Sequence, residues 1–390
     1  NFFNEVDLNT PWDYHYENLD SRTILDRLAA VKYFVVKAGE EEYLPYGYDT
    51  LAAEAEKKDR LYRAYECKNA LPIGYTYDSY IPEKKYAKMS TVEKQQALLQ
   101  GVVLADSAVP ETTPEFNDRE VSYKLVTGSG CKEKDGKLII TKENAQAKLV
   151  FDGLDECETY LITEGVDYEA LSPRELISDK KWNKMTLYEQ KKVQYENSKW
   201  RYWKESQKAY IDVTGQFLDK TISIFTDKYN AYSGRSDFLC NTGYSEKGKK
   251  SITLTFENTG VYSYKDMKVV CQPMKNIESQ TSRLGTESLK DVKIKNHELT
   301  GSISVSKDKV LVISLPYSKG FQAYVDGQKT ELKQANTMYM ALELTKGDHE
   351  IRITYYTPYL KTGLVLTCVG ILCYICVVLV CKKRRGNKET

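Results

Sequence analysis

The sequence predicts an α+β, mainly β protein: an N-terminal α/β segment, a jelly-roll-like β-sandwich with a helical insertion, and one C-terminal transmembrane helix. Three observations carry this. Short runs between residues 116 and 361 alternate apolar and polar residues and are separated by Gly, Asp and Asn turns. A block at about 172–212 is charged, helix-favouring and free of turn signals after Pro173. The stretch Thr362–Cys381 contains no charged side chain.

The N-terminal segment, residues 1–115, mixes both periods. In SRTILDRLAAV, Ile24, Leu25 and Leu28 share a helical face, with Asp20 or Ser21 placed to cap it. KYFVVK reads as a buried strand, and STVEKQQALLQG opens with the capping-box pair Ser90 and Glu93 and stops at Gly101. The Pro/Thr-rich joint VPETTPEFNDRE then sets a boundary near residue 116.

From 116 to 361 the period is two. VSYKLVTG, GKLIITKE, AKLVFDGL and ETYLITEGV precede the helical block; TISIFTD, KSITLTFEN, MKVVCQP, GSISVS, KVLVISLPY, FQAYVDGQKTEL, YMALEL and HEIRITYY follow it. Asp326-Gly327 is the strongest hairpin signal. In HEIRITYY, His349, Ile351, Ile353 and Tyr355 point one way. The helical block carries Trp182, Trp200 and Trp203, of which Trp200 and Trp203 share a face three residues apart.

A helix over 362–381 is roughly 30 Å long, the thickness of a bilayer core. Tyr355, Tyr356 and Tyr359 precede it as an interfacial aromatic belt. The tail 382–390 carries +4, which leaves −3 of the total +1 for the rest of the chain. By the positive-inside rule that tail is cytoplasmic, so the body is extracytoplasmic at the cell membrane. Because no signal segment precedes the polar body, further spans are expected upstream of Asn1.

Composition narrows the chemistry. At 390 residues, with 28% charged and 41% hydrophobic residues, the chain is long enough for two or three folded domains. A net charge of +1 gives no case for nucleic-acid binding. His15, His297 and His349 are the only histidines and show no metal-ligand spacing, so no metal site is expected. The sequence holds no GxSxG elbow, and the glycines of TGSGCKEKDG lack a P-loop Lys-Ser/Thr. A tethered glycosidase would need a close carboxylate pair that sequence cannot show. Cys368, Cys373, Cys376 and Cys381 lie in or beside the span as apolar filler, with palmitoylation near the cytoplasmic edge the minor reading. Of the five outer cysteines, a Cys240–Cys271 or a Cys131–Cys157 bridge stays open.

The 31 tyrosines, clustered in YLPYGYD and IGYTYDSY, offer flat amphipathic faces that suit core and interface packing or stacking on sugar rings. Candidate glycan or acceptor contacts are Asp13, Tyr14 and His15 of PWDYHYENLD, Tyr317, Phe321, Trp200 and Trp203.

LDRLAAVKYFVV, YECKNALPIGYTYDSYI, NTGYSEKG, VVCQPM, ISLPYSKGFQAYVDGQKT and GDHEIRITYYTPYLKTG together resemble the YfhO family of bacterial membrane proteins. Phe321 stands where the family often has Trp, and Thr242 where it has Leu; both keep the strand-turn character. The resemblance implies a polytopic GT-C-type glycosyltransferase that moves a sugar from a polyprenyl-phosphate carrier to a cell-envelope glycopolymer such as teichoic or lipoteichoic acid. It places the catalytic carboxylate among N-terminal spans upstream of Asn1, so no catalytic residue and no cofactor is assigned to this chain. The competing reading is a membrane-anchored carbohydrate-binding or adhesive surface protein without catalysis.

Overall fold

The computed structural model describes residues 19–204, 207–215 and 218–386. Two groups of antiparallel sheets, each closed over its own core, are joined by the N-terminal segment.

The first group spans Arg119–Pro273. A five-stranded sheet runs in the order Asp219–Phe225, Lys208–Thr214, Ser251–Phe256, Ala145–Phe151, Tyr123–Thr127. A four-stranded sheet, Phe238–Ser245, Cys157–Glu164, Asp266–Pro273 and Arg119–Val121, shares its core, as does a smaller four-stranded sheet built around Lys137–Ile140 and Gly260–Ser263. Alternation explains the packing. Ala145, Ala147, Leu149 and Phe151 are buried, while Gln146, Lys148 and Val150 face out. The insertion contains the helices Asp179–Trp182 and Leu187–Trp203, the latter opened by a Thr186/Glu189 capping box. Trp200 packs on the sheet core.

The second group pairs a five-stranded sheet (Lys290–Lys295, Glu298–Val305, Gly347–Tyr355, Phe321–Val325, Gln328–Thr330) with a four-stranded one (Lys333–Ala335, Tyr339–Leu344, Lys309–Pro316, Gly74–Tyr77). The last strand comes from the N-terminal segment, more than 200 residues away in sequence from its partner. Both faces of this smaller sheet are covered. Leu311 and Ile313 enter the core shared with Ile351 and Ile353, whereas Val310 and Val312 enter another with Ile24, Leu25, Leu28, Tyr75 and Tyr77. A strand buried on both sides needs a continuous apolar run, and VLVI supplies it. The Asp326-Gly327 hairpin forms as read, with both residues at positive φ (53° and 77°).

Two expectations are corrected and one open question is closed. KYFVVK is a strand, Tyr33–Lys37, but only Val36 is buried; it edges a three-stranded sheet with Arg60–Cys67 and Tyr48–Lys57. Little packs against that sheet, most of Tyr48–Lys57 being exposed as well, so Tyr33 and Val35 stay open to solvent. Neither Asp20 nor Ser21 caps the first helix, Thr23–Leu28; Arg22 holds the N-cap position without a side-chain cap. Tertiary partners claim Asp20 and Ser21 instead. Neither open disulfide forms: all nine cysteines are free, and burial pushes the thiols of Cys131, Cys157 and Cys240 up to about 11, 12 and 12.

The final helix, Leu360–Gly386, contains one segment long and apolar enough to cross a membrane, Leu360–Cys381, the single such segment among the described residues. The body grips its start. Tyr356 N–H donates to Gly320 O at 2.9 Å, and a Cβ on Gly320 would sit 2.4 Å from the Tyr356 carbonyl, so only glycine allows this approach.

Candidate functional site

Where the two sheet groups meet, the short helix Thr23–Leu28 is buried on every side, its charged residues included. Charge in such a place must be paired and hydrogen-bonded. Asp20 Oδ1 lies 2.5 Å from Lys220 Nζ. Glu158 accepts from Thr23 N–H at 3.1 Å, Thr23 Oγ1 at 2.5 Å and Tyr160 OH at 2.5 Å. Arg22 Nε donates to Gln95 Oε1 at 2.9 Å; the Gln95 amide in turn donates to Tyr160 OH at 2.9 Å and to Gln272. Arg27 pairs with Glu278 at 2.5 Å and donates to Thr281 at 3.1 Å.

The backbone entering this helix is left-handed at Asp20 and Ser21 (φ 62° and 52°). Asn241 holds it there, donating to the Asp20 and Ser21 carbonyls at 3.2 and 3.0 Å. Burial pushes the carboxyls of Asp20 and Glu158 up, with Lys220 opposing the shift at Asp20 and Thr23 opposing it at Glu158. Asp26 is pushed up to about 8, by burial first and then by the nearby Glu158 and Asp20. Its Oδ2 has no hydrogen-bond partner among the described residues, which fits a neutral acid.

Over this network opens a cleft of about 110 Å³, lined by Gln96, Gln100, Glu115, Phe116, Asn117, Gln272, Asn276 and Gln280 among others. The helix Thr91–Ala97, opened by the Ser90/Glu93 capping box, shapes one wall. Gln100 brackets the backbone of Glu115, accepting from its N–H at 2.9 Å and donating to its carbonyl at 2.6 Å. Gln96 accepts from Asn117 N–H at 3.1 Å. Two side-chain amides thus do what a neighbouring strand would do, and Phe116 between them is left 37% exposed.

A second, wider groove of about 440 Å³ lies on the second sheet group, lined by Glu287, Lys290, Ser304, Asp326, Asp348, His349 and Glu350 among others. His349 Nδ1 is 2.7 Å from Asp326 Oδ2 and Nε2 is 2.8 Å from the Thr345 carbonyl. Carboxylate and carbonyl oxygens only accept, so both ring nitrogens donate and the ring is an imidazolium. Burial opposes this, but the bonds to Asp326 and Thr345 outweigh it and raise the His349 pKa. A raised folded-state pKa means stability fully present below the unfolded value, about 6.5, and lost as pH climbs through the folded one. Thermal melts of a His349→Gln variant are therefore expected to lose part of the wild-type decline as pH rises above about 6.5; an unchanged pH profile would show the pair to be unimportant.

The sequence-derived candidates do not converge. Asp13, Tyr14 and His15 lie outside the described residues, as does the Trp203 side chain. Trp200 packs on the first core, with Lys204 Nζ 5.6 Å from its ring centre. Tyr317 and Phe321 pack at the edge of the second core, Phe321 4.9 Å from the Tyr355 ring, at the end nearest the apolar helix. Sequence reasoning passed over Phe116, Gln100, Gln280 and the buried ionic residues. The signal that pointed there was the set of stretches LDRLAAV, NTGYSEKG and VVCQPM, which supply Asp26, Arg27, Asn241 and Gln272 to one junction.

The fold defines a β-rich body joined to a helix of membrane-spanning length and composition. The chain belongs to the bacterial membrane protein YfhO family, whose pattern matches residues 1–367. It is 21% identical over 390 residues to a Bacillus subtilis (strain 168) protein described as uncharacterized protein YfhO, with 98% of this chain covered. The chain spans 39% of that relative's length. Among solved structures it is similar to the arabinofuranosyltransferase AftD from Mycobacteria, at TM-scores of 0.17 in two cryo-EM classes. Those matches have 14% and 9% identity and cover 43% and 40% of this chain and 14% and 13% of the other. A likeness that slight carries no argument about fold or activity.

Proposed function

We propose that the chain is the extracytoplasmic body, a membrane span and the cytoplasmic tail of a polytopic glycosyltransferase. The enzyme moves a sugar from a polyprenyl-phosphate carrier to a cell-envelope polymer, teichoic or lipoteichoic acid, and this body recognises the acceptor or braces the catalytic loops. The observation that carries the reading is membership of a membrane-protein family over residues 1–367, joined to the folded body that grips the start of the apolar helix. A catalytic carboxylate outside this chain would act as base toward the acceptor hydroxyl. Asp13, Tyr14 and His15 belong to this reading as acceptor contacts because PWDYHYENLD is an acidic, aromatic segment suited to sugar hydroxyls and ring faces. Tyr317 and Phe321 belong to it through their place near the membrane end of the body.

The test is chemical analysis of the envelope. Teichoic polymers from a deletion strain are expected to lack one sugar substituent by mass spectrometry, and the full-length gene should restore it. A gene lacking residues 116–360 but keeping the spans is expected not to. Unchanged glycosylation in the deletion strain overturns the reading; full restoration by the truncated gene overturns the role of the body.

A further inference from the structure

We infer that the cleft between Glu115–Asn117 and the start of the helix Ile277–Gly285 is a subsite for one uncharged sugar ring. Its biological use rests on the sugar-transfer reading; its geometry does not.

Four polar side chains facing the cleft have hydrogen-bonding capacity left over. Asn276 precedes the helix but makes no cap bond, and no hydrogen bond is formed by the Gln280 amide or the Glu115 carboxylate among the described residues. Asn117 uses its Nδ2 on the Pro273 carbonyl at 3.3 Å and keeps Oδ1 open. Gln96, Gln100 and Gln272, behind them, are held by partners. The wall is therefore built in advance, and binding need not order it.

The chemistry selects the ligand class. Amide groups both donate and accept, which matches a rim of hydroxyls that do the same. Phe116 offers an apolar face for the C–H side of a pyranose. Glu115 is the one ionisable residue in the lining, so the cleft offers a phosphate polymer no cation. The wider groove is worse for a polyanion, since Glu287, Asp326, Asp348 and Glu350 outnumber Lys290 and His349. Size sets the stoichiometry. At about 110 Å³ the cleft is far below the ordinary size of a site that encloses a whole ligand, so it seats the edge of a single ring and does not engulf a chain.

The experiment uses the full-length protein in nanodiscs and saturation-transfer difference NMR with three probes: methyl β-glucoside, methyl N-acetyl-β-glucosaminide and a glycerol-phosphate trimer. At least one neutral glycoside is expected to bind weakly. Phe116→Ala and Gln280→Ala should each weaken that binding about tenfold or more, with melting temperature unchanged. No binding of either glycoside, binding that survives both substitutions, or binding of the glycerol phosphate alone overturns the subsite. If Phe116→Ala unfolds the protein, Gln280→Ala, whose side chain makes no hydrogen bond among the described residues, decides the matter. Envelope glycosylation by the same strains separates the two ideas. Cleft-dependent glycoside binding without any transfer by the wild type upholds the subsite and overturns the transferase reading; transfer without cleft-dependent binding does the reverse.

Discussion

Replacing Glu278 with Ala is expected to destabilise the body by about 2–4 kcal/mol, the buried-pair value discounted for the solvent that reaches Glu278. Arg27 is fully buried, and Glu278 is its charged partner at 2.5 Å. Removing the carboxylate leaves a buried guanidinium held by Thr281 but without its charged partner, and its Nε already has no hydrogen-bond partner among the described residues. The reverse change should cost less. Arg27→Leu leaves Glu278 partly open to solvent and still bonded to Asn69, so about 1–3 kcal/mol is expected from lost bonds and imperfect packing. Denaturant unfolding of the two variants in detergent measures the asymmetry. Equal losses would mean that solvent reaches Arg27.

Asp26→Asn is expected to act in the opposite direction, with an advantage that grows from about pH 4 and is complete above about pH 8. Burial and the neighbouring Glu158 and Asp20 push the Asp26 carboxyl up to about 8, so the folded protein keeps a proton that the unfolded chain releases near 3.9. The sign follows from linkage: stability tied to that proton is complete below pH 4 and drains away as pH rises to about 8. Asparagine keeps the shape without the ionisation. The variant should match the wild type near pH 4 and exceed it by about 2–4 kcal/mol at pH 9, once the full shift is discounted for relaxation and water entry. Unfolding midpoints from pH 4 to 9 decide it; a variant weaker at every pH would show that the carboxylate is ionised and satisfied.

Both effects fall on residues whose meaning the sequence concealed. In SRTILDRL every charged residue reads as a solvated helix face, because local pattern assigns charge to water by default. The partners that overturn this, Glu158, Lys220, Asn241 and Glu278, lie 135 residues or more from the residues they contact, Thr23–Glu158 being the shortest of these separations. The cleft was hidden for the same reason. Phe116 stands in what reads as an exposed joint, and only Gln96, Gln100 and the Gln272–Gln280 stretch make it a wall.

What the sequence determined by itself is everything governed by near neighbours: the period-two strands, the Ser90/Glu93 and Asp326-Gly327 signatures, and the apolar helix from Leu360 to Cys381. These depend on side chains a few residues apart, so a linear reading captures them. The tertiary structure alone decided that Gly74–Tyr77 completes a sheet begun more than 200 residues later, that the Thr23–Leu28 helix is a buried ionic wedge, and that Phe116 faces a cleft. Burial is a property of what packs against a residue, and for these positions the packing partners come from the far end of the chain.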